Sequence, residues 1–171
     1  VISDLKEFWT LAHKHFDTRW VSCSEPKHIL SRLGVDLEGV ESVLEIGPGW
    51  LHLANYLSAT GRRVVIHDIV ALDDPRYVAE LPLKAPVDIA IAHLVLQHVR
   101  HGRALVEKVL ASLVPGGTFY FDAIAADYNG PGIAAELANG TSFPFEPWDL
   151  VDERYEVIGS PGYFFCKARR K

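Results

Sequence analysis

The run Val43-Leu44-Glu45-Ile46-Gly47-Pro48-Gly49 constrains this chain more than any other stretch. Ser42 to Ile46 reads as a short buried strand, and the glycines that follow end it. Leu51 to Ala59 then carries apolar residues at helical spacing and is closed by Gly61. Val64-Val65-Ile66 is a second apolar run, ending in His67 and Asp68. Strand, glycine turn, helix and strand make one βαβ unit, which requires a parallel sheet with helices on its faces.

The rest of the chain extends that pattern. Val87 to Ala92 predicts another strand, and Leu105, Val106, Val109, Leu110 and Leu113 mark a helix over Arg103 to Leu113. Pro115-Gly116-Gly117 predicts a turn into a strand from Thr118 to Phe121, ended by Asp122. Two β-rich runs, Arg154 to Ile158 and Tyr163 to Ala168, flank a Gly/Pro turn and predict a terminal antiparallel hairpin. Between Asp68 and Val87 the prolines 75, 82 and 86 leave room only for a weak strand at Tyr77 to Ala79.

Ahead of the sheet, Leu5, Phe8, Trp9, Ala12 and Phe16 form the stripe of an amphipathic helix. A second helix opens at Pro26, buries Ile29, Leu30 and Leu33, and stops at Gly34. Residues 129–147 read as a long surface loop with at most a short helix at Ile133 to Ala138. The expectation is one domain over residues 1–171, with an N-terminal helical segment (1–34) and an α/β core (35–171).

Composition narrows the function classes. Seventeen basic against 22 acidic side chains give a net charge of −5, which repels polyphosphate and argues against a nucleic-acid partner. Cys23 and Cys166 belong to no CxxC pair, so neither a zinc site of familiar spacing nor a disulfide framework is predicted. No apolar run reaches membrane-spanning length and the N-terminus lacks signal-peptide character, so the expected location is cytoplasmic.

In parallel α/β sheets, ligands bind beyond the carboxyl ends of the strands. Glu45 to Gly49, Asp68, His93 and Asp122 all fall there. Glycines at 47 and 49 let main chain pass close to a ligand. A carboxylate at Glu45 suits a ligand with a positive charge better than a pyrophosphate. Asp68, 21 positions after Gly47, stands where nucleotide-binding units place an acceptor for ribose hydroxyls.

The stretches Leu44 to Gly49, Asp68, Val87 to Val99 and Leu113 to Tyr120 together resemble, in order, the successive motifs of class I S-adenosylmethionine-dependent methyltransferases. The resemblance covers roughly residues 40–168. It implies a Rossmann-like, seven-stranded sheet, mostly parallel, with the last strand inserted antiparallel and helices on both faces. It implies S-adenosylmethionine as cofactor, S-adenosylhomocysteine as product and a small-molecule acceptor. Carried over, it implies that Gly47 and Gly49 pack under the methionine and ribose, that Ile46 and Trp50 are among the cofactor-binding residues, and that Glu45 holds the ammonium, directly or through water. Asp68 would take the ribose hydroxyls and Ile69 the adenine. His93 and Leu94 would face the methionyl part and the methyl group, with His93 as the candidate base.

The sequence also departs from that family. Leu51 replaces a usual third glycine, and the region between the second and fourth strands is short. Tyr77 stands where an acidic residue usually meets the adenine, with Val78 beside it and Asp73 and Asp74 as substitutes. These departures keep open an inactive methyltransferase-like binding module. A nicotinamide-dependent oxidoreductase is a further alternative, opposed by His52 at the third position of its glycine pattern. His93 with Asp122 as metal ligands is another. Trp9, Trp20, Trp148, Phe143 and Phe145 are candidates for packing or for an acceptor cover.

Overall fold

The computed structural model describes residues 6, 9–10, 25–96, 99, 102–124, 155–160 and 163–170. Its first long helix, α1 (Pro26–Leu33), begins with proline at the first turn and ends at Gly34 in the left-handed conformation, φ 61°. Glu25 caps it by accepting from the His28 N–H, and Ile29, Leu30 and Leu33 are its buried residues. Of the expected helix before it, Lys6, Trp9 and Thr10 are described, and all three are helical.

Strands β1 (Ser42–Ile46), β2 (Arg63–His67), β3 (Val87–Ala92) and β4 (Leu113–Ile124) are joined by α2 (His52–Ala59) and α3 (Gly102–Ala111). Strands β5 (Tyr155–Ser160) and β6 (Tyr163–Arg169) close the chain as an antiparallel pair. The six-stranded sheet has the order β2-β1-β3-β4-β6-β5. Its first three contacts are parallel, and β6 runs antiparallel to β4. This is the mostly parallel sheet with an antiparallel terminal hairpin that the sequence predicts.

Alternation along the strands builds a core on each face. Leu44, Ile46, Ala90, Ala92, Phe119 and Phe121 pack on one side with Val106, Val109 and Leu110 of α3. Val43, Ile66, Ile89, Ile91 and Tyr120 pack on the other with Leu53, Ala54 and Leu57 of α2 and the three buried residues of α1. Helices therefore cover both faces. At the opposite end of the sheet from the strand-end loops, Asp88 ties β3 to β1 by accepting from the Glu41 and Ser42 N–H groups and the Ser42 hydroxyl.

Three expectations are corrected. The weak strand at Tyr77 to Ala79 is a single parallel bridge, Ile66 to Tyr77, so among the described residues the sheet has six strands. Only two bonds form it, from Ile66 N–H to the Arg76 carbonyl and from Val78 N–H to the Ile66 carbonyl. Pro75 and Pro82 bound the segment and prevent a longer ladder. Helix α3 stops at Ala111, and Leu113 instead pairs with Val87. The Pro115-Gly116-Gly117 turn is an irregularity inside β4, which runs on past Asp122 to Ile124. The expected loop at 129–147, its helix at 133–138, and Trp20, Phe143, Phe145 and Trp148 lie outside the described residues.

Candidate functional site

The strand order reverses beside β1: the chain steps from β1 outward to β2, then returns to place β3 on β1's other side. The loops after β1 and β3 must diverge or meet there, which is where open α/β sheets leave a crevice. They meet at Gly47. A Cβ on that residue would lie 2.6 Å from Val95 Cγ2, and its φ is +62°. Gly47 is thus required by the protein's own packing as well as by its backbone angle. Gly49, at φ +52°, has nothing within 4 Å of its Cβ direction and is exposed. The two glycines divide the work expected of both: one lets the loops touch, the other leaves the turn open.

Leu51 sits where the third glycine was missing. It nevertheless holds φ 65°, the left-handed conformation that glycine would adopt. It is also the N-cap of α2 and offers no side-chain hydrogen bond there. Glu45, on β1, is buried beside the first turn of that helix, where the Ala54 main chain favours its charged form. Its oxygen Oε2 is buried without a hydrogen-bond partner. Burial pushes the Glu45 pKa up to about 8, against the Arg76 charge and the Ala54 bond, which lower it. A bare oxygen in the interior is a costly feature that a donor or cation would relieve.

Beyond β2, Asp68 is half-buried and its Oδ1 accepts from the Val70 N–H at 3.0 Å, an Asx turn that shapes the loop. Ile69 beside it is 53% exposed, and Trp50 beyond β1 is 37% exposed; they are the exposed large hydrophobics of the described residues. Both flank the same strand ends. The Tyr77 hydroxyl donates to the Asp68 carbonyl at 3.4 Å. The Val78 carbonyl lies 3.0 Å from His67 Nδ1, so the residual bridge is pinned next to Asp68 by the last residue of β2.

Beyond β3, His93 Nδ1 is 2.8 Å from Asp122 Oδ2, and the Leu94 N–H donates to Asp122 Oδ1 at 2.7 Å. Asp122 is fully buried near the end of the neighbouring strand. An ionised carboxylate only accepts, so this pairing places the Nδ1 proton on His93 and its basic lone pair on Nε2. Leu94 is held at φ 56°. No group of three or more His, Cys, Asp or Glu among the described residues could hold a metal ion.

A family model described as a methyltransferase domain matches residues 15–159. This chain belongs to the methyltransferase-domain family. No curated protein matches it. Among solved structures, this methyltransferase-domain chain is similar to DhpI in its complex with SAM and HEP, with a TM-score of 0.65 at 17% identity over 95% of this chain and 94% of that one. A second is the Burkholderia thailandensis 1,6-didemethyltoxoflavin-N1-methyltransferase with bound 1,6-didemethyltoxoflavin and S-adenosylhomocysteine: TM-score 0.54, 20% identity, 99% and 92% covered. A third is the Synechocystis PCC 6803 magnesium protoporphyrin IX methyltransferase with bound SAH: TM-score 0.59, 13% identity, 96% and 94% covered. At these identities the likeness is one of fold.

The structure places Glu45, Ile46, Gly47, Gly49 and Trp50 in or beside the β1 turn, Asp68 and Ile69 beyond β2, and His93 and Leu94 beyond β3. Val78 joins them through His67, although the strand expected around it is absent. Ile46 is buried in the core on the α3 face, so its side chain serves packing and only its main chain borders the turn. Two side chains were not on the sequence-derived cofactor list: Asp122, which fixes both His93 and Leu94, and Arg76, whose charge acts on Glu45. Asp122 carried the signal of a strand-end carboxylate. Arg76 carried none.

Proposed function

We propose that this protein is an S-adenosylmethionine-dependent methyltransferase acting on a small-molecule acceptor. The observation that carries the reading is the unpartnered, buried Glu45 Oε2 beside a glycine turn, with Asp68 at the end of the adjacent strand. A cationic amino group suits the first and vicinal hydroxyls suit the second, and the cofactor carries both. When bound, the cofactor supplies an electrophilic methyl group on a sulfonium.

Glu45 would receive the ammonium, directly or through a water. Asp68 would accept from the ribose hydroxyls, while Ile69 and Val78 border the adenine and Gly49 and Trp50 the open side of the turn. His93 and Leu94 would line the methionyl end. Positioning does most of the work, because alignment of two reactants is worth roughly 7–11 kcal/mol. His93 would take the proton from an acceptor hydroxyl at Nε2, with Asp122 steadying the ring as it becomes charged. The net charge of −5 favours a small acceptor over nucleic acid. The left-handed Leu51 weakens the case for an inactive module, since the glycine's conformation is kept without the glycine.

Calorimetric titration with S-adenosylhomocysteine tests this. Wild-type protein binds, and Asp68→Ala weakens binding by about 1.5–3 kcal/mol, the value of a hydrogen bond to a charged group. Equal affinity in the two proteins sinks the assignment. Asp122→Asn keeps the Leu94 bond through its amide oxygen but donates to His93 Nδ1, which moves the ring proton to Nε2. Cofactor affinity should persist while transfer to a hydroxyl acceptor falls about 10²–10⁴-fold.

A further inference from the structure

Segment 74–78 lies at the edge of the sheet without a strand's ladder: two main-chain bonds and the single Ile66–Tyr77 bridge join it to β2. Side chains fasten it instead. Asp74 Oδ1 accepts from the Arg76 N–H at 2.8 Å, and the Asp74 carbonyl accepts from the Tyr77 N–H at 3.0 Å. The Tyr77 hydroxyl donates to the Asp68 carbonyl at 3.4 Å, and His67 Nδ1 lies 3.0 Å from the Val78 carbonyl. The last two contacts set Tyr77 and Val78 against the end of β2, where Asp68 stands.

Arg76 carries the outer fastening. Its Nε donates to Asp74 Oδ1 at 2.8 Å and its Nη2 to Asp74 Oδ2 at 2.6 Å, a fork closed on one carboxylate. Nη1 reaches the Ser58 hydroxyl at 3.0 Å and Nη2 also reaches the Asn55 side-chain oxygen at 2.8 Å, both on α2. The Arg76 carbonyl accepts from the Ile66 N–H at 3.0 Å. Most of the Arg76 and Asp74 side chains is out of water. One residue thus ties α2, the helix that follows the glycine turn, to β2, the strand that leads to Asp68.

We propose that Arg76 is a positioning residue for the nucleoside half of the cofactor: its clamp holds Tyr77 and Val78 beside Asp68 in place of the missing ladder. This rests on the S-adenosylmethionine reading above, in which Asp68 takes the ribose hydroxyls and Val78 borders the adenine. The charge of Arg76 is balanced by Asp74. What reaches the site is geometry, passed on through the Tyr77 and Val78 contacts.

A guanidinium offers planar donors to several side chains at once, whereas a lysine ammonium is a compact point donor on a flexible stem. Lysine at position 76 would keep an ion pair with Asp74 but would not span Asp74, Ser58 and Asn55 together. A wall that has come loose must be ordered again when a ligand arrives, and that ordering opposes binding. The loss falls on the part of the ligand that the wall borders. It should therefore be the same with or without the amino-acid end.

The experiment is calorimetric titration of wild type, Arg76→Ala, Arg76→Lys and Leu57→Val with two probes, alongside thermal unfolding of each protein. One probe is S-adenosylhomocysteine; the other is 5′-methylthioadenosine, a nucleoside thioether without the amino-acid end. Leu57 is fully buried on α2, so trimming it lowers stability without touching the clamp. Arg76→Ala should weaken both probes by the same factor, about tenfold, as loss of one hydrogen bond to a charged group does. Arg76→Lys should recover little of that loss. Leu57→Val should melt earlier yet bind both probes within about twofold of wild type. The double variant Asn55→Ala/Ser58→Ala keeps the Asp74 pair and should weaken both probes in equal proportion, which carries the test where Arg76→Ala does not fold. Unchanged affinity in the clamp variants, weakening of S-adenosylhomocysteine alone, full rescue by lysine, or an equal loss in Leu57→Val overturns this proposal alone. Failure of S-adenosylhomocysteine to bind wild type overturns the cofactor reading and this proposal with it.

Discussion

Leu51 and Leu94 occupy equivalent places, just beyond β1 and just beyond β3, and both lie in the left-handed region, at φ 65° and 56°. Such a conformation costs a non-glycine residue about 1 kcal/mol or more. They are secured differently. The Leu51 N–H donates to the Pro48 carbonyl at 2.8 Å, its carbonyl accepts from Asn55 N–H at 2.8 Å, and its side chain packs against the α2 core. The Leu94 N–H instead reaches Asp122, 28 residues away in sequence, whose other oxygen holds His93. One turn is held by its neighbours and the other by a remote buried carboxylate. The loop that carries the candidate base is thus tied to a distant side chain.

The largest effect should come from removing that side chain. Asp122→Ala deletes two hydrogen bonds to a buried charged group, each worth about 1.5–3 kcal/mol, so urea denaturation should show a loss of roughly 4 kcal/mol. No local substitution in the Leu51 turn should match it. A loss below about 1 kcal/mol would mean that the β3 loop is held locally as well.

The glycines sharpen the contrast next. Gly47→Ala places a Cβ against Val95 at 2.6 Å and also strains φ, so about 2–3 kcal/mol of destabilisation is expected. Gly49→Ala meets open space and should cost only the backbone term, about 1 kcal/mol. Equal losses in the two variants would show that the β1 and β3 loops do not press on each other at Gly47.

The same division explains how much was legible in the sequence. Strand β1 was readable because an apolar run ends at a glycine, and α1 because Pro26 and Gly34 bracket it; these are local signals. Glu45, Asp68 and His93 were readable as site candidates because each stands at or beside the end of an apolar strand. The residual third strand was not, since propensity at Tyr77 to Ala79 could not show that its ladder would shrink to one bridge. The end of α3 was missed because Ser112 breaks the helical run: its hydroxyl turns back to the Lys108 carbonyl and also receives the Leu83 N–H. Arg76 was invisible because two of its partners, Asn55 and Ser58, lie 21 and 18 residues away on a helix that only the fold brings to it.

The smallest effects test the comparison itself. Replacing either leucine by glycine removes the left-handed strain, worth about 1 kcal/mol, but makes the unfolded chain more flexible by a similar or smaller amount. At Leu94, which is not packed into either core cluster among the described residues, the balance should be neutral to slightly stabilising, up to about 0.5 kcal/mol. At Leu51 the same change also loses contacts with the α2 core, so a net loss of about 1 kcal/mol is expected. Thermal unfolding of the two single variants and the double mutant should therefore give opposite or clearly separated shifts that add, since local packing and a remote carboxylate are independent supports. Identical shifts would show that both turns rest on the same kind of support.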